Sequence, residues 1–351
     1  MKIGLLLPAN VFFCPYATIF SNLLEKWGVD YDIICWDKTN RDEVADYVYH
    51  KRILGNSSTL KKLYYYYQYT CFIKKCIKDV RYDKLIVFGP QIGIFLYPFL
   101  NCYYKNQFVL DYRDLSIEQR FKRVYGKLLQ ISGLNTISSP AFRKCLPKGF
   151  KYVISHNIND SLTREALKKE MLVNEKSKIT VLTIGAIRDL EQNIELMNSL
   201  AFNTKFQIQF VGKSDLSDFI KDYVEEHKRC NASFVGFYKK EEESSYVDRC
   251  TFLNIYYPRK LSHDTAISNR FYNSLIYCKP MIVTKDTIQG DLVEKYGVGI
   301  AIANCEGLAD KLIEYQRTFN LGTYMEGRNA LLKLIIGEQD EFIDMFHSFV
   351  Y

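Results

Sequence analysis

No two of the ten cysteines stand two residues apart, and the chain holds only five histidines. That sets aside a zinc site built on Cys-x-x-Cys or on clustered Cys and His. The cysteines fall singly, at Cys14, Cys35, Cys71, Cys76, Cys102, Cys145, Cys230, Cys250, Cys278 and Cys305. Such a spread over a long chain argues against a disulfide scaffold and reads as reduced, mostly buried thiols in a cytoplasmic protein. No stretch reaches ~18 uninterrupted apolar residues, so no transmembrane helix is expected. The opening MKIGLLLPANVFFCPY has one Lys and an apolar run broken by Pro8, Asn10 and Pro15. It reads as a strand and a loop, not as a secretory leader. The loop after that strand lacks Gly-x-Gly-x-x-Gly, which counts against a dinucleotide-binding oxidoreductase. Charge of one sign is in short supply as well: 47 bases face 40 acids, a net charge of +7. That is too even for a dedicated nucleic-acid binder, yet compatible with an anionic substrate or an anionic membrane surface.

What is present is a chain of 351 residues, too long for one ordinary core, so two domains are expected. Aromatics are abundant, with 27 Tyr and 23 Phe. Tyr joins an apolar body to a polar tip, which suits ligand faces and plain packing alike.

The first half alternates strands and helices. Strands are expected at Lys2–Leu7, Tyr31–Trp36, Lys84–Gly89, Gln107–Asp111, Leu134–Ser139 and Lys151–Ser155. Helices are expected near Tyr16–Trp27, Ser58–Lys78, Gly93–Tyr103 and Glu118–Ser132. From His156 to Lys178 the chain turns polar, which marks a domain boundary. The alternation then restarts. Strands are expected at Lys178–Gly185, Phe206–Gly212, SFVGF, Thr251–Tyr257, Met281–Val283 and Gly299–Ala303. Helices are expected through Asn193–Leu200, Asp215–His227, Glu241–Arg249, the stretch opening at Ser268, and Leu308 onward. Apolar strands with little period-two alternation belong to parallel sheets covered on both faces. The expected fold class is therefore α/β, with two Rossmann-like domains. Their boundaries are 1–157, a connection over 158–177, and 178–333. Residues 334–351 form a C-terminal helical segment that can pack back on the first domain.

In parallel sheets ligands sit at the carboxyl ends of strands, so function is sought in those loops. Four consecutive strand ends of the second domain carry a base beside a Gly or a helix start. They are Gly185-Ala186 with Arg188, Gly212-Lys213, Tyr238-Lys239-Lys240, and Ser268-Asn269-Arg270. Ser268 can cap its helix by accepting from a free backbone N–H. Arg270 sits in the first helical turn, where a base is disfavoured unless an anion binds there. It is either a solvated Arg without a partner or part of an anion site. Four such ends on one sheet edge favour a polyanion such as a nucleotide diphosphate. Tyr238 can stack a base or simply pack. His263 and Asp264 stand at the mouth of this region, as site residues or incidentally.

The first domain has a different edge. Asp111, Arg113 and Asp114 follow the strand QFVLD, with Glu118 close behind. A carboxylate beside an Arg can hold a hydroxyl or act as a base, or it can be a loop ion pair. The segment from Ser58 to Lys78, STLKKLYYYYQYTCFIKKCIK, mixes bases with aromatics. It can lie on an anionic membrane surface or meet a lipid-linked acceptor. It can equally be a core helix with Lys at its margins, and that plainer reading carries more weight.

With these residues in view, the chain resembles GT-B glycosyltransferases, in particular bacterial enzymes that build capsule or other surface polysaccharides. Asn269-Arg270-Phe271-Tyr272-Asn273 followed by Cys278-Lys279-Pro280-Met281-Ile282 resembles the family's Asn-Lys-x-Tyr-Glu helix and Gly-Lys-Pro turn. Ile184-Gly185-x-x-Arg188 resembles its donor-phosphate loop. FGPQIG, LDYRD and ISSPAFRKCLP…SHN occupy the expected places in the first domain. The resemblance implies two sheets facing a cleft, a nucleotide-sugar donor in the second domain and a saccharide acceptor, lipid-linked or free, in the first. It implies transfer with no cofactor and no required metal, bases at the strand ends neutralising the leaving diphosphate. The implied donor residues are Gly185, Arg188, Lys213, Tyr238, His263, Asp264, Ser268, Asn269, Arg270 and Asn273; the implied catalytic group is Asp111, Arg113 and Asp114. Two positions depart from the pattern. Asn273 replaces the second Glu of Glu-x7-Glu, with Thr265 eight earlier, and Asn193 replaces a Lys five after the loop Arg. The same fold leaves two other functions open, a nucleotide-sugar epimerase or hydrolase and a non-catalytic partner of a transferase.

Overall fold

The computed structural model describes residues 1–40, 43–53, 57–171, 178–213, 216–227 and 231–351. Asp215, Cys230 and the end of the expected connection, 172–177, lie outside the described residues. The chain divides into two compact units, Met1–Asn157 with Gly337–Tyr351, and Ile158–Ile336.

The first unit begins with β1 (Lys2–Leu6), α1 (Ala17–Lys26), β2 (Asp30–Asp37), β3 (Tyr47–His50), α2 (Thr59–Val80), β4 (Lys84–Phe88) and α3 (Pro90–Tyr103). It continues through β5 (Phe108–Tyr112), α4 (Lys122–Ile131), β6 (Leu134–Ile137) and β7 (Val153–Ile154). The sheet order is β3-β2-β1-β4-β5-β6-β7, and every pairing is parallel. The apolar runs end up as expected: Ile3, Leu5, Leu6, Leu85, Ile86 and Val109 have no solvent exposure. Two details differ from expectation. β3 was not foreseen; its Tyr-Val-Tyr-His is a short, half-exposed edge strand whose register is set by β2, with Ile34 opposite Tyr47. The helix expected over Glu118–Ser132 is a 3-10 turn, Ile117–Gln119, followed by α4.

The second unit begins with α5 (Asp160–Ala166), β8 (Ile179–Ile184), α6 (Leu190–Leu200), β9 (Phe206–Val211), α7 (Ser217–Glu226), β10 (Ala232–Val235), α8 (Glu243–Arg249) and β11 (Phe252–Ile255). Next come α9 (Leu261–Thr265), α10 (Asn269–Ile276), β12 (Met281–Thr284), α11 (Ile288–Tyr296), β13 (Gly299–Ile302) and α12 (Leu308–Thr318). Its sheet is also parallel, in the order β10-β9-β8-β11-β12-β13. The polar stretch after His156 is not all bare connection: Ile158 and Ala166 are buried in this unit's core beside Phe271, Leu275 and Tyr324. α9 occupies what read as loop, and α11 was not foreseen.

The last helix, α13 (Leu321–Val350), serves both units in turn. Tyr324, Leu331, Leu332 and Ile335 belong to the core of the second. Arg328, fully buried, donates to the carbonyls of Leu275 (2.6 Å) and Ala166 (2.7 Å), satisfying acceptors at the ends of α10 and α5. Phe342, Phe346 and Val350 belong to the core of the first, where Phe342 and Phe346 each meet Phe20 at 5.1 Å between ring centroids. There too His156 pairs with Glu338 at 2.8 Å, and its backbone N–H donates to Gln339.

Candidate functional site

In the second sheet the chain's direction of travel reverses between β8 and β11, which are hydrogen-bonded neighbours. Diverging connections leave a crevice at such a switch point, outside the carboxyl ends of the strands. A cavity of about 390 Å³ opens there. It is walled by the end of β8 with its Gly185-Ala186 turn, the loop after β10, Tyr257 after β11, His263 of α9 and the first turn of α10. Gly185, Arg188, Tyr238, His263, Ser268, Asn269, Arg270 and Asn273 all line it.

The turn that forms one wall exists because two backbones come very close. Gly212, at φ 137°, ends β9 against Gly185; a Cβ there would fall 2.0 Å from the Gly185 carbonyl oxygen. Gly185 itself has φ 94°. Beyond the turn the chain is held by Asn193, whose amide donates to the carbonyls of Arg188 (2.6 Å) and Asp189 (3.0 Å). Asn193 therefore braces the loop from beneath; it is buried and is not a substitute cation. Asp189 takes a left-handed φ of 57° and pairs with Lys260 at 3.2 Å. This arrangement leaves Arg188 exposed on the cavity, with no side-chain partner among the described residues.

Arg270 does something other than expected. It is buried, and it spends its guanidinium on backbone: Nε donates to Ile184 O (2.5 Å), Nη2 to Ala186 O (2.9 Å) and Nη1 to Asn254 O (3.4 Å). Three of its five N–H groups thus tie α10 to the ends of β8 and β11. It shapes the phosphate-loop-like turn first, and only its remaining donors face other uses. Ser268 also departs from expectation. It stands at the N-cap position with no capping side-chain bond; its hydroxyl and backbone N–H both donate to Gln289 Oε1, at 2.9 and 3.0 Å. The first turn of α10 holds no acid. Its positive end is therefore neutralised neither by Ser268 nor by a carboxylate of its own turn.

A carboxylate does stand in the cavity wall, on the helix expected at Glu241–Arg249, at a residue that sequence reasoning did not single out. Glu243 opens α8 and is 6% exposed. Its Oε2 accepts from the Tyr238 hydroxyl and its Oε1 from the Asn273 amide, both at 2.9 Å. Burial, then the Glu243 charge, push the Tyr238 hydroxyl far above the ordinary tyrosine range, so it stays protonated and donates. Asn273 of α10 thus carries a carboxylate from a different helix, α8, bonded to its amide. His263 keeps Nδ1 on the carbonyl of Pro258 at 3.1 Å, which makes Nδ1 the donor, and its ring lies against Tyr257.

Two expected residues are not part of this wall. Lys213 is exposed and lies off the cavity. Asp264 turns to Arg259, at 2.9 and 3.3 Å, and that bond raises the Arg259 pKa.

The first-unit cluster is closed. Asp111 is fully buried; Oδ2 meets Arg113 Nε at 2.6 Å and Oδ1 accepts from Thr136 at 2.6 Å. Arg113 donates further to the Ser155 carbonyl (2.8 Å) and hydroxyl (3.0 Å), and its guanidinium lies over Tyr16 at 5.1 Å. Of the two readings of this pair, the geometry is that of the ion pair: each Asp111 oxygen is engaged, by Arg113 and by Thr136, and the side chain has no solvent exposure. Asp114 is exposed on the following loop. Glu118 is buried, with Oε1 accepting from Tyr112, the Ser116 backbone N–H and Gln119. Among the described residues no group of three His, Cys, Asp or Glu is placed to hold a metal ion, and no helix is long and apolar enough to cross a membrane.

No protein-family model matches the chain, and no curated protein matches it. Solved structures do. Sucrose-phosphate synthase from Thermosynechococcus elongatus matches with a TM-score of 0.71 at 14% identity, over 99% of this chain and 99% of that one. HepE from Anabaena, solved with UDP-glucose, matches at 0.64 and 13% identity, over 99% and 100%. A Listeria monocytogenes protein assigned as a UDP-N-acetylglucosamine 2-epimerase matches at 0.59 and 9% identity, over 93% and 90%. These likenesses establish the fold: the chain has the GT-B fold, two parallel-sheet α/β domains.

Proposed function

We propose that the protein is a glycosyltransferase that takes a nucleotide-diphosphate sugar in the second-unit cavity and passes the sugar to a saccharide acceptor. The carrying observation is the chemistry of one cavity wall set against another. Arg188 and the start of α10 offer positive charge and donors, while Glu243 with Asn273 and Tyr238 offers a carboxylate and polar partners for hydroxyls. A ligand with a diphosphate at one end and a ribose at the other satisfies both. In turnover Arg188 and the α10 amides neutralise the charge that grows on the leaving diphosphate, and Arg270 keeps the turn in place while they do. His263 and Tyr257 border the same space, where the transferred sugar is held. Known relatives of this fold have been solved with UDP and UDP-glucose, which favours a uridine donor. The finer reading is a cytoplasmic enzyme of surface-polysaccharide or capsule biosynthesis. It works at the inner face of the membrane on a lipid-linked acceptor and needs no metal.

A thermal-shift screen against UDP, GDP, CMP and their sugars tests the site. A ligand at ~100 times its Kd adds roughly 2.7 kcal/mol, a visible rise in melting temperature. One nucleotide family is expected to shift the protein and Arg188→Ala to abolish the shift; no shift from any of them sinks the reading. Similarity to an epimerase-assigned structure supports a second reading, a nucleotide-sugar epimerase or hydrolase. Incubation with donor alone separates the two, since rapid release of free sugar or an epimer identifies the second. Donor binding without transfer, restored by a partner protein, identifies a non-catalytic subunit.

A further inference from the structure

Gln289 follows β12 in the first turn of α11, and no reading of the site has used it so far. It is 4% exposed, yet it lines the cavity. A backbone N–H can only donate, so the Gln289 atom that meets the Ser268 N–H at 3.0 Å is the amide oxygen. The same oxygen accepts from the Ser268 hydroxyl at 2.9 Å. Those two bonds fix which end of the amide is which. The oxygen is spent on Ser268, and the NH2 group has no partner among the described residues. The backbone beneath is fixed as well. The Thr287 hydroxyl accepts from Gly290 N–H at 3.0 Å and donates to the Thr284 carbonyl at 2.7 Å. Gly290 packs so closely that a Cβ there would fall 2.6 Å from that carbonyl. A polar side chain buried this deeply normally has its donors satisfied. Here two N–H donors are set in place on a cavity wall and nothing in the protein receives them.

We propose that the Gln289 amide binds the second phosphate of the donor, the one farther from the nucleoside, and so makes the site selective for a nucleoside diphosphate over a monophosphate. This rests on the donor reading given above and adds to it a residue from α11. Gln289 is bonded to Ser268, at the start of α10, where backbone N–H groups are free and the first turn holds no acid. Donors that converge on one place call for a group that only accepts, and a phosphate oxygen is that group. Of the two lining carboxylates, Glu243 is engaged by Tyr238 and Asn273, and Asp189 pairs with Lys260 at 3.2 Å, so neither answers these donors. Position assigns the phosphate. Asn273, the residue paired with the ribose-side carboxylate, lies five residues along α10 from Ser268, about 7.5 Å at the helical rise. A ligand running from a ribose at Asn273 toward the start of the helix reaches Gln289 with its second phosphate.

Isothermal titration with UDP against UMP, and with GDP against GMP in parallel, tests this. The parent is expected to prefer the diphosphate. Gln289→Glu keeps an oxygen for Ser268 and replaces the NH2 group with an acceptor. Its melting temperature without ligand is expected to hold, because the Ser268 donors stay satisfied and a helix start favours a carboxylate. Its diphosphate affinity is expected to fall about tenfold to a hundredfold, with the monophosphate little changed. Gln289→Met removes the donors without adding charge. It is expected to lower the melting temperature, since Ser268 loses its acceptor, and to lose most of the preference for diphosphate. The ratio of the two affinities is the decisive reading, because a residue that only braces Ser268 would weaken both nucleotides together. A parent without preference for diphosphate overturns the proposal, and so does either variant that keeps the parent's ratio. If the parent binds none of the four nucleotides, the donor reading falls and takes this inference with it. If it binds them and the ratio survives both changes, this inference falls alone.

Discussion

The end of β5 and the end of β8 read alike in sequence: a strand, then an arginine among small or acidic residues. They differ in what surrounds the guanidinium. Arg113 is buried and locked onto Asp111 and Ser155. Arg188 stands at a cavity with its loop held by Asn193 and its own side chain unspent among the described residues. Arg270 falls between them, lining the cavity yet bound to three carbonyls. A base at a strand end thus becomes a brace, or remains available to a ligand, according to whether buried acceptors reach it first.

The comparison breaks most visibly at the closed end. Arg113→Met leaves Asp111 buried with no countercharge, and removing one partner of such a pair costs about 3–5 kcal/mol. Urea denaturation is expected to show that loss, while nucleotide shifts of the folded protein persist. If stability holds and turnover collapses, Arg113 belongs to catalysis after all.

The open end is expected to behave in the opposite way. Arg270→Met strands carbonyls at the ends of β8 and β11, so a stability loss of about 2–4 kcal/mol is expected together with weaker nucleotide binding. Arg188→Ala is expected to leave the melting temperature where it is and to cost about 2–4 kcal/mol of transition-state stabilisation, read as kcat/KM. Equal effects of the two changes on stability would erase the distinction between brace and ligand residue.

Glu243 sharpens the same contrast within the cavity. Glu243→Gln keeps the shape but turns one acceptor into a donor facing Tyr238 or Asn273. A loss of about 1–3 kcal/mol in nucleotide affinity is expected. If Glu243 and Asn273 hold ribose hydroxyls, the parent protein discriminates against a 2′,3′-dideoxy nucleotide and the variant does so much less. Isothermal titration with both nucleotides reads this directly.

Much of this was legible without coordinates. The long apolar runs announced the inner strands, because a parallel strand covered on both faces has no room for alternation. β3 escaped because Tyr47–His50 is short, half-exposed and given its strand conformation by pairing with β2 rather than by its own pattern. α11 escaped although its caps are written in the chain, with Thr287 accepting from Gly290 N–H and Gly297 in the left-handed region; with it went Gln289, the partner of Ser268. The gathering of Gly185, Arg188, Tyr238 and Ser268 on one cavity follows from the strand-end rule and needs no contact information. Glu243 could not be singled out, because Glu241, Glu242 and Glu243 form one acidic run and only burial separates the third from the others. The direction of the Arg270 side chain was equally hidden, since its acceptors come from β8 and β11, far away in sequence.

The smallest effects are expected where sequence placed site residues and the structure places none. Asp264 lies off the cavity, in a partly exposed pair with Arg259. Such pairs contribute about 0–1 kcal/mol, so Asp264→Asn is expected to change stability little. Lys213 follows the tightly placed Gly212, yet its own side chain is exposed and off the cavity, so Lys213→Ala is expected to shift neither melting temperature nor nucleotide affinity beyond about 0.5 kcal/mol. The neighbouring glycine supplies the contrast. Gly212→Ala drives a methyl group into the Gly185 carbonyl, and the wall of the cavity moves with it. If Lys213→Ala weakened nucleotide binding as strongly as Arg188→Ala, the β9 end would be carrying ligand charge, and the division between one available arginine and its braced neighbours would have to be redrawn to include it.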